Sequence, residues 1–228
     1  MPFEPSHPTS PAPPTAASDA GAARPVRVTV YVDGFNLYHG LKEHSKARAY
    51  RWLDLHALSE SLLLPGHRLE KVLYFTSLPP WSPQKIARHQ VYIDALKSVG
   101  VTVVEGRFQK DTRTCFAICR LPFDVYVEKL TDVNIATRMI EDAVLDRTDW
   151  IYLVTGDADQ APAIRTLRTL VPQKVVRVIF PPRRHSAELQ QVADEHLGPI
   201  GHRKLKPFLL PDAITLADGR TIHNPDGW

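Results

Sequence analysis

Five short apolar runs, each too brief for a buried helix, constrain this chain more than any other feature: "VRVTVYV" (Val26 to Val32), "LEKVLYFTS", "VTVVEG", "WIYLVTG" and "KVVRVIF". All five read as strands; the short, β-branched "VRVTVYV" suits burial on both faces, as in a parallel sheet, and "WIYLVTG" reads as another buried strand. Segments with helical spacing separate them. The alternation predicts an α/β fold, a three-layer sandwich around a mostly parallel central sheet with right-handed crossovers.

The intervening segments carry their own boundaries. Helices are predicted at about 35–47 and at about 53–64, where Leu55, Leu58 and Leu62 share one face. In "SPQKIARHQVYIDALKSVG", Ser82 is a candidate N-cap, Pro83 sits at the first helical position and Gly100 lies past the end. "TDVNIATRMIEDAVLDR" places Ile135, Met139 or Ile140, and Val144 at helical spacing after Thr131, a candidate N-cap. "DQAPAIRTLRTLV" and "SAELQQVADEH" complete the helices. Arg107 to Lys129 reads as a β-hairpin or an irregular excursion.

The chain divides into a Pro/Ala-rich tail at 1–25, expected to be disordered, a domain at 26–200 and an extension at 201–228. The tail is nearly devoid of aliphatic residues, so little burial could offset its ordering entropy. The extension holds "LPDAITLADGRTIHNPDGW", a candidate small hairpin turned at Asp218 and Gly219. With 43% hydrophobic and 23% charged residues, composition is that of an ordinary globular protein, and a formal charge of +3 permits a polyanionic partner without requiring one. No apolar run approaches 18 residues, so no membrane span is expected. Two cysteines suit a reducing compartment, and a cytoplasmic location is expected. Cys115 and Cys119 are spaced C-x₃-C with no second ligand pair nearby, which argues against zinc.

In a parallel α/β sheet, ligands bind beyond the carboxyl ends of the strands. Asp33 in "YVDGFN" and Asp157 with Asp159 in "VTGDADQ" stand at such ends, and Asp132 stands in a helical first turn. Alone, each has an ordinary role: Asp33 and Asp159 could cap the helices that follow them, and Asp132 would be favoured by the helix dipole. Together, four carboxylates would repel unless some stayed protonated or a hard cation such as Mg²⁺ or Mn²⁺ neutralised them. Such an ion serves phosphodiester hydrolysis by activating water and stabilising developing charge. Asn36 and Thr155 are candidate orienters of the carboxylates. Arg183 and Arg184 in "PPRRHS", together with a helix start, could grip phosphate, and Lys129 could line an RNA groove with Arg107, Lys110, Arg113 and a stacking Phe108 or Tyr126. The arginine pair is equally compatible with a solvated basic loop, and for the Lys129 group scattered surface charge is the favoured reading.

The blocks "YVDGFNLYHGL", "EKLTDVNIATRMIEDA", "YLVTGDADQAPAIRTLR" and "VIFPPRRHSAELQQVAD" resemble bacterial NYN-domain proteins, a branch of the PIN-like nuclease superfamily that includes the LabA-like group. The resemblance covers about Arg27 to His196, and the terminal segment is similar to tails in that group. It implies a PIN-like sandwich, an aspartate-built Mg²⁺ or Mn²⁺ site and ribonuclease activity. The family's aspartates fall on Asp33, Asp132, Asp157 and Asp159, and its asparagine on Asn36. The chain departs at Gln160, where the family carries an apolar residue. A metal-dependent endoribonuclease acting on single-stranded RNA is the expectation, with a homodimer as an option. The competing expectation is a catalytically weak NYN module that binds RNA or protein as a regulator. A haloacid-dehalogenase-like phosphatase is set aside because it needs a second aspartate where Phe35 stands.

Overall fold

A computed structural model describes residues 24–42, 50–117 and 119–225. The tail expected to be disordered, up to residue 23, and residues 43–47 of the first expected helix lie outside the described residues. Six strands form the central sheet: β1 (Val26–Asp33), β2 (His67–Thr76), β3 (Thr102–Glu105), β6 (Trp150–Val154), β7 (Val175–Ile179) and β8 (Glu195–Leu197). Their order is β3-β2-β1-β6-β7-β8, and every pairing within this sheet is parallel. A second unit, the antiparallel hairpin β4 (Arg107–Thr114) and β5 (Pro122–Lys129), branches off after β3. The segment left open between hairpin and irregular excursion is therefore a hairpin.

Alternate residues of the inner strands feed two separate cores. Val28, Val30 and Val32 of β1 pack with Tyr74 and Tyr152 on one side. There they meet α1 (Gly34–Lys42), α2 (Leu55–Ser61) and α3 (Pro83–Ser98) through Leu37, Leu58 and Leu96. Tyr31 packs with Phe75 and Leu153 on the other side, against α4 (Thr131–Val144), α5 (Ala161–Leu170) and α6 (Ala187–Val192). Buried apolar area of this kind is the main favourable term in holding the layers together. Leu205, Leu210 and Ile222 of the C-terminal segment join the first core. That segment ends in the antiparallel pair β9 (Ala213–Thr215) and β10 (Thr221–His223), with Gly219 at φ +84° in the turn. The left-handed value there favours glycine.

Local signals set some boundaries and tertiary contacts moved others. Ser82 caps α3, its hydroxyl accepting from Lys85 N–H, as expected. Asp54 caps α2 (Leu55–Ser61), which starts only after Leu53 because that residue is held in a bridge to Leu209. Thr131 is not the N-cap of α4. Leu130 is, in a left-handed conformation at φ +79°, and the capping acceptor is the Glu128 carboxylate, which receives Thr131 N–H at 3.2 Å. The last helix is shorter than expected and stops at Val192. Asp194 pairs with Val176 through both backbone and side chain, and the chain continues as edge strand β8 beside β7. Ladder hydrogen bonds outweigh the helical preference of "ADEH" there.

Candidate metal centre

Strand order reverses between β1 and β6, and the carboxyl ends of these two strands carry the acids. Asp33 is the last residue of β1 and is only 3% exposed. Its Oδ1 accepts from Asn36 N–H at 2.9 Å and its Oδ2 from the Thr155 hydroxyl at 2.8 Å. The Thr155 oxygen accepts in turn from Asp157 N–H at 3.1 Å. Asn36 Oδ1 receives Gly156 N–H at 2.8 Å, tying the start of α1 to the loop after β6. Asp157 heads a single 3-10 turn (Ala158–Gln160) and accepts from Asp159 N–H at 3.1 Å. Asp132 enters from the first turn of α4.

Asp33, Asp132 and Asp157 each offer a carboxylate oxygen, and these three atoms lie within 4.8 Å of one another. Capping and a place in the trio are therefore compatible for Asp33, because the oxygen that caps α1 retains a second lone pair. Asn36, proposed from the sequence as an orienter, binds the loop that leads to Asp157, and Thr155 binds Asp33 directly. Asp159 stands outside the trio and is exposed, although its charge acts on Asp132.

Burial pushes the Asp33 carboxyl up to about 6, with Asp132 and Asp157 pushing the same way and the bonds from Asn36 and Thr155 pulling it down. Asp132 is raised as well, by burial first and then by the charges of Asp157 and Glu128. Three clustered carboxylates of this kind are costly unless protonated or neutralised by a cation. An all-oxygen, anionic donor set suits a hard divalent ion such as Mg²⁺ or Mn²⁺.

Gln160 is the residue that sequence reasoning undervalued. It is fully buried, and its Nε2 donates to the Asp132 backbone oxygen and to Oδ1, each at 3.3 Å. Its Oε1 has no hydrogen-bond partner among the described residues. The only signal in the sequence was its departure from an apolar position. The glycines flanking the acids allow close approach, but between parts of the protein. A Cβ on Gly34 would come within 2.5 Å of the Phe75 carbonyl oxygen, and one on Gly156 within 2.8 Å of Arg184 Cβ.

That contact places Arg184, half-buried, beside the Asp157 loop, while Arg183 is exposed at φ +58°. The helix start expected to help them hold phosphate belongs to α6, six residues long and already capped by Ser186. Lys129 is exposed at the end of β5, opposite Arg107.

Residues 27–199 match the NYN domain family. The chain belongs to that family, which lies within the PIN-like nuclease superfamily. It is also similar to 6-hydroxy-3-succinoylpyridine 3-monooxygenase HspA of Pseudomonas putida, at 26% identity over an alignment of 183 positions covering 64% of this chain. The match spans 57% of that protein's length. A crystal structure of a Vibrio parahaemolyticus protein of unknown function superposes with a TM-score of 0.55 at 22% identity, covering 83% of this chain and 99% of that one. This NYN chain thus shares its α/β sandwich with a solved structure. No helix among its described residues is long and apolar enough to cross a membrane.

Proposed function

We propose that this NYN protein is a metal-dependent endoribonuclease that hydrolyses single-stranded RNA. The observation that carries the proposal is the convergence of Asp33, Asp132 and Asp157 at the reversal of strand order. Asp33, Asp132 and Asp157 would hold Mg²⁺ or Mn²⁺, and Asp159 adds negative charge beside Asp132. The ion, when bound, lowers the pKa of an attacking water and neutralises phosphodiester charge. Thr155 fixes the Asp33 carboxylate, Asn36 fixes the loop bearing Asp157, and Gln160 fixes Asp132. Lys129, Arg183 and Arg184 are assigned to the RNA backbone, where cations position the strand without reading its sequence. A cytoplasmic setting is part of the proposal, consistent with two free thiols.

The test is cleavage of a mixed RNA pool by the purified chain in Mg²⁺, Mn²⁺ or EDTA, beside Asp157→Asn. Cleavage that requires the ion and disappears in the variant supports the proposal. Cleavage surviving in EDTA or in Asp157→Asn would overturn it. RNA binding indifferent to EDTA, with no turnover, would favour a regulatory module instead. A further reading, action on a small hydroxypyridine acid, is favoured by the similarity to the monooxygenase. Depletion of such a compound by a chain inert to RNA would select it.

A further inference from the structure

A cleft of about 600 Å³ opens between α1, α3 and the β4–β5 hairpin. Its lining includes Gly34 and Phe35, the two residues that follow Asp33, and Glu128, whose charge acts on Asp132. The cleft therefore adjoins the carboxylate trio.

Aromatic rings from separate segments form one wall. Trp81 meets Phe108 edge-to-face at 4.7 Å between centroids and lies tilted against Tyr126 at 4.8 Å, and Phe108 meets Phe35 at 5.7 Å. Core packing does not account for this wall, because Trp81 remains 42% exposed and Tyr126 38% exposed. A contiguous aromatic patch left open in a concave site marks a place where a planar ligand docks.

Charge narrows the class. Among the described residues the lining holds four Lys or Arg residues, including Lys42, Lys85 and an Arg51 that lies over the Tyr38 ring, against one acid, Glu128. That acid is engaged within the protein, accepting from Ser77 Oγ at 3.1 Å and Thr131 N–H at 3.2 Å. A flat apolar wall with surplus positive charge matches an aromatic heterocycle joined to an anion. Next to a candidate phosphodiester centre, an unpaired nucleotide meets both requirements.

We propose that this cleft is a base-stacking subsite, in which Trp81 and Tyr126 hold one unpaired nucleotide of an RNA strand beside the carboxylate trio. The identity of the polymer rests on the ribonuclease reading; the stacking does not require cleavage. Stacking on this wall would select single strands, since a paired base cannot present its face.

The test titrates fluorescein-labelled single-stranded RNA, and a duplex of equal length, with the full chain carrying Asp157→Asn. Trp81→Ala is compared with Trp81→Phe in that background, and thermal melting checks folding. Trp81→Ala should weaken single-strand binding by about 5- to 100-fold. Trp81→Phe should retain most of the affinity, and duplex binding should change less than about twofold, since paired bases offer no face to stack. Unchanged single-strand affinity in a folded Trp81→Ala, or equal weakening for the duplex, would overturn the subsite. Wild-type cleavage unaffected by Trp81→Ala would overturn the subsite while leaving the ribonuclease standing. Trp81-dependent binding by a wild-type chain that does not cleave would keep the subsite and remove the catalysis. Failure to bind RNA, with tryptophan quenching by 6-hydroxynicotinate, would overturn the subsite in favour of a small heteroaromatic acid.

Discussion

Replacing Gln160 with leucine should stabilise this protein in EDTA while weakening its hold on a cation. The side chain is fully buried, its Oε1 lacks a partner among the described residues, and its Nε2 makes two bonds to Asp132 at 3.3 Å each. Those bonds are longer than the usual 2.7–3.2 Å, so together they contribute only about 1 kcal/mol. A buried acceptor left unsatisfied costs about 1–3 kcal/mol, which the substitution removes. The expected net gain is about 1 kcal/mol, or roughly 2–4 °C in melting temperature for a chain of this size. The second consequence has the opposite sign for function. Gln160 is a hydrogen-bond donor that lowers the Asp132 carboxyl, so its loss raises that group further and lets protons compete better with metal. A weak bond predicts a modest effect, a loss of Mn²⁺ affinity of about fivefold or less. Thermal melting in EDTA and then across a Mn²⁺ titration measures both. A melting temperature lowered by about 2 °C or more in EDTA would refute the reasoning, because it would show the amide to be a net stabilising group.

Three further outcomes are expected. Asp157→Asn removes one of three clustered charges, so it should raise the melting temperature in EDTA and abolish the rise that wild type shows with Mn²⁺; a retained Mn²⁺ response would count against the trio as a metal site. The Asp33 carboxyl moves from 3.8 unfolded to about 6 folded, so its contribution, on the order of 3 kcal/mol, favours the fold below pH 3.8 and is lost as pH rises through 6. The difference in stability between wild type and Asp33→Asn in EDTA isolates this term, and with Mn²⁺ the sign should invert, binding strengthening above pH 6; a difference flat with pH would show that Asp33 is not raised. Gly34→Ala would drive a methyl to within 2.5 Å of the Phe75 carbonyl oxygen and 2.7 Å of the Tyr74 ring, costing about 1–3 kcal/mol, readable as a lower urea midpoint.

What the sequence determined by itself was whatever depends on neighbours along the chain. The five apolar runs became β1, β2, β3, β6 and β7: four lie inside the sheet, where both faces are covered, and β3 lies at its edge with Thr102 and Glu105 exposed. The Ser82-Pro83 start of α3 and the Asp218-Gly219 turn were legible for the same reason, as was the placing of acids at strand ends. Tertiary structure decided what depends on residues far apart. It drew Asp33, Asp132 and Asp157 together and left Asp159 exposed, since spacing along a 3-10 turn does not say which carboxylate faces inward. It made Leu130 the N-cap of α4 with Thr131 N–H held by Glu128, and it turned the end of an expected helix into β8, because an open sheet edge offered hydrogen bonds that helical propensity could not match. The aromatic wall of Phe35, Trp81, Phe108 and Tyr126 exists only in three dimensions. Its members share no sequence period, and only the packing of the hairpin against α1 and α3 makes them one surface.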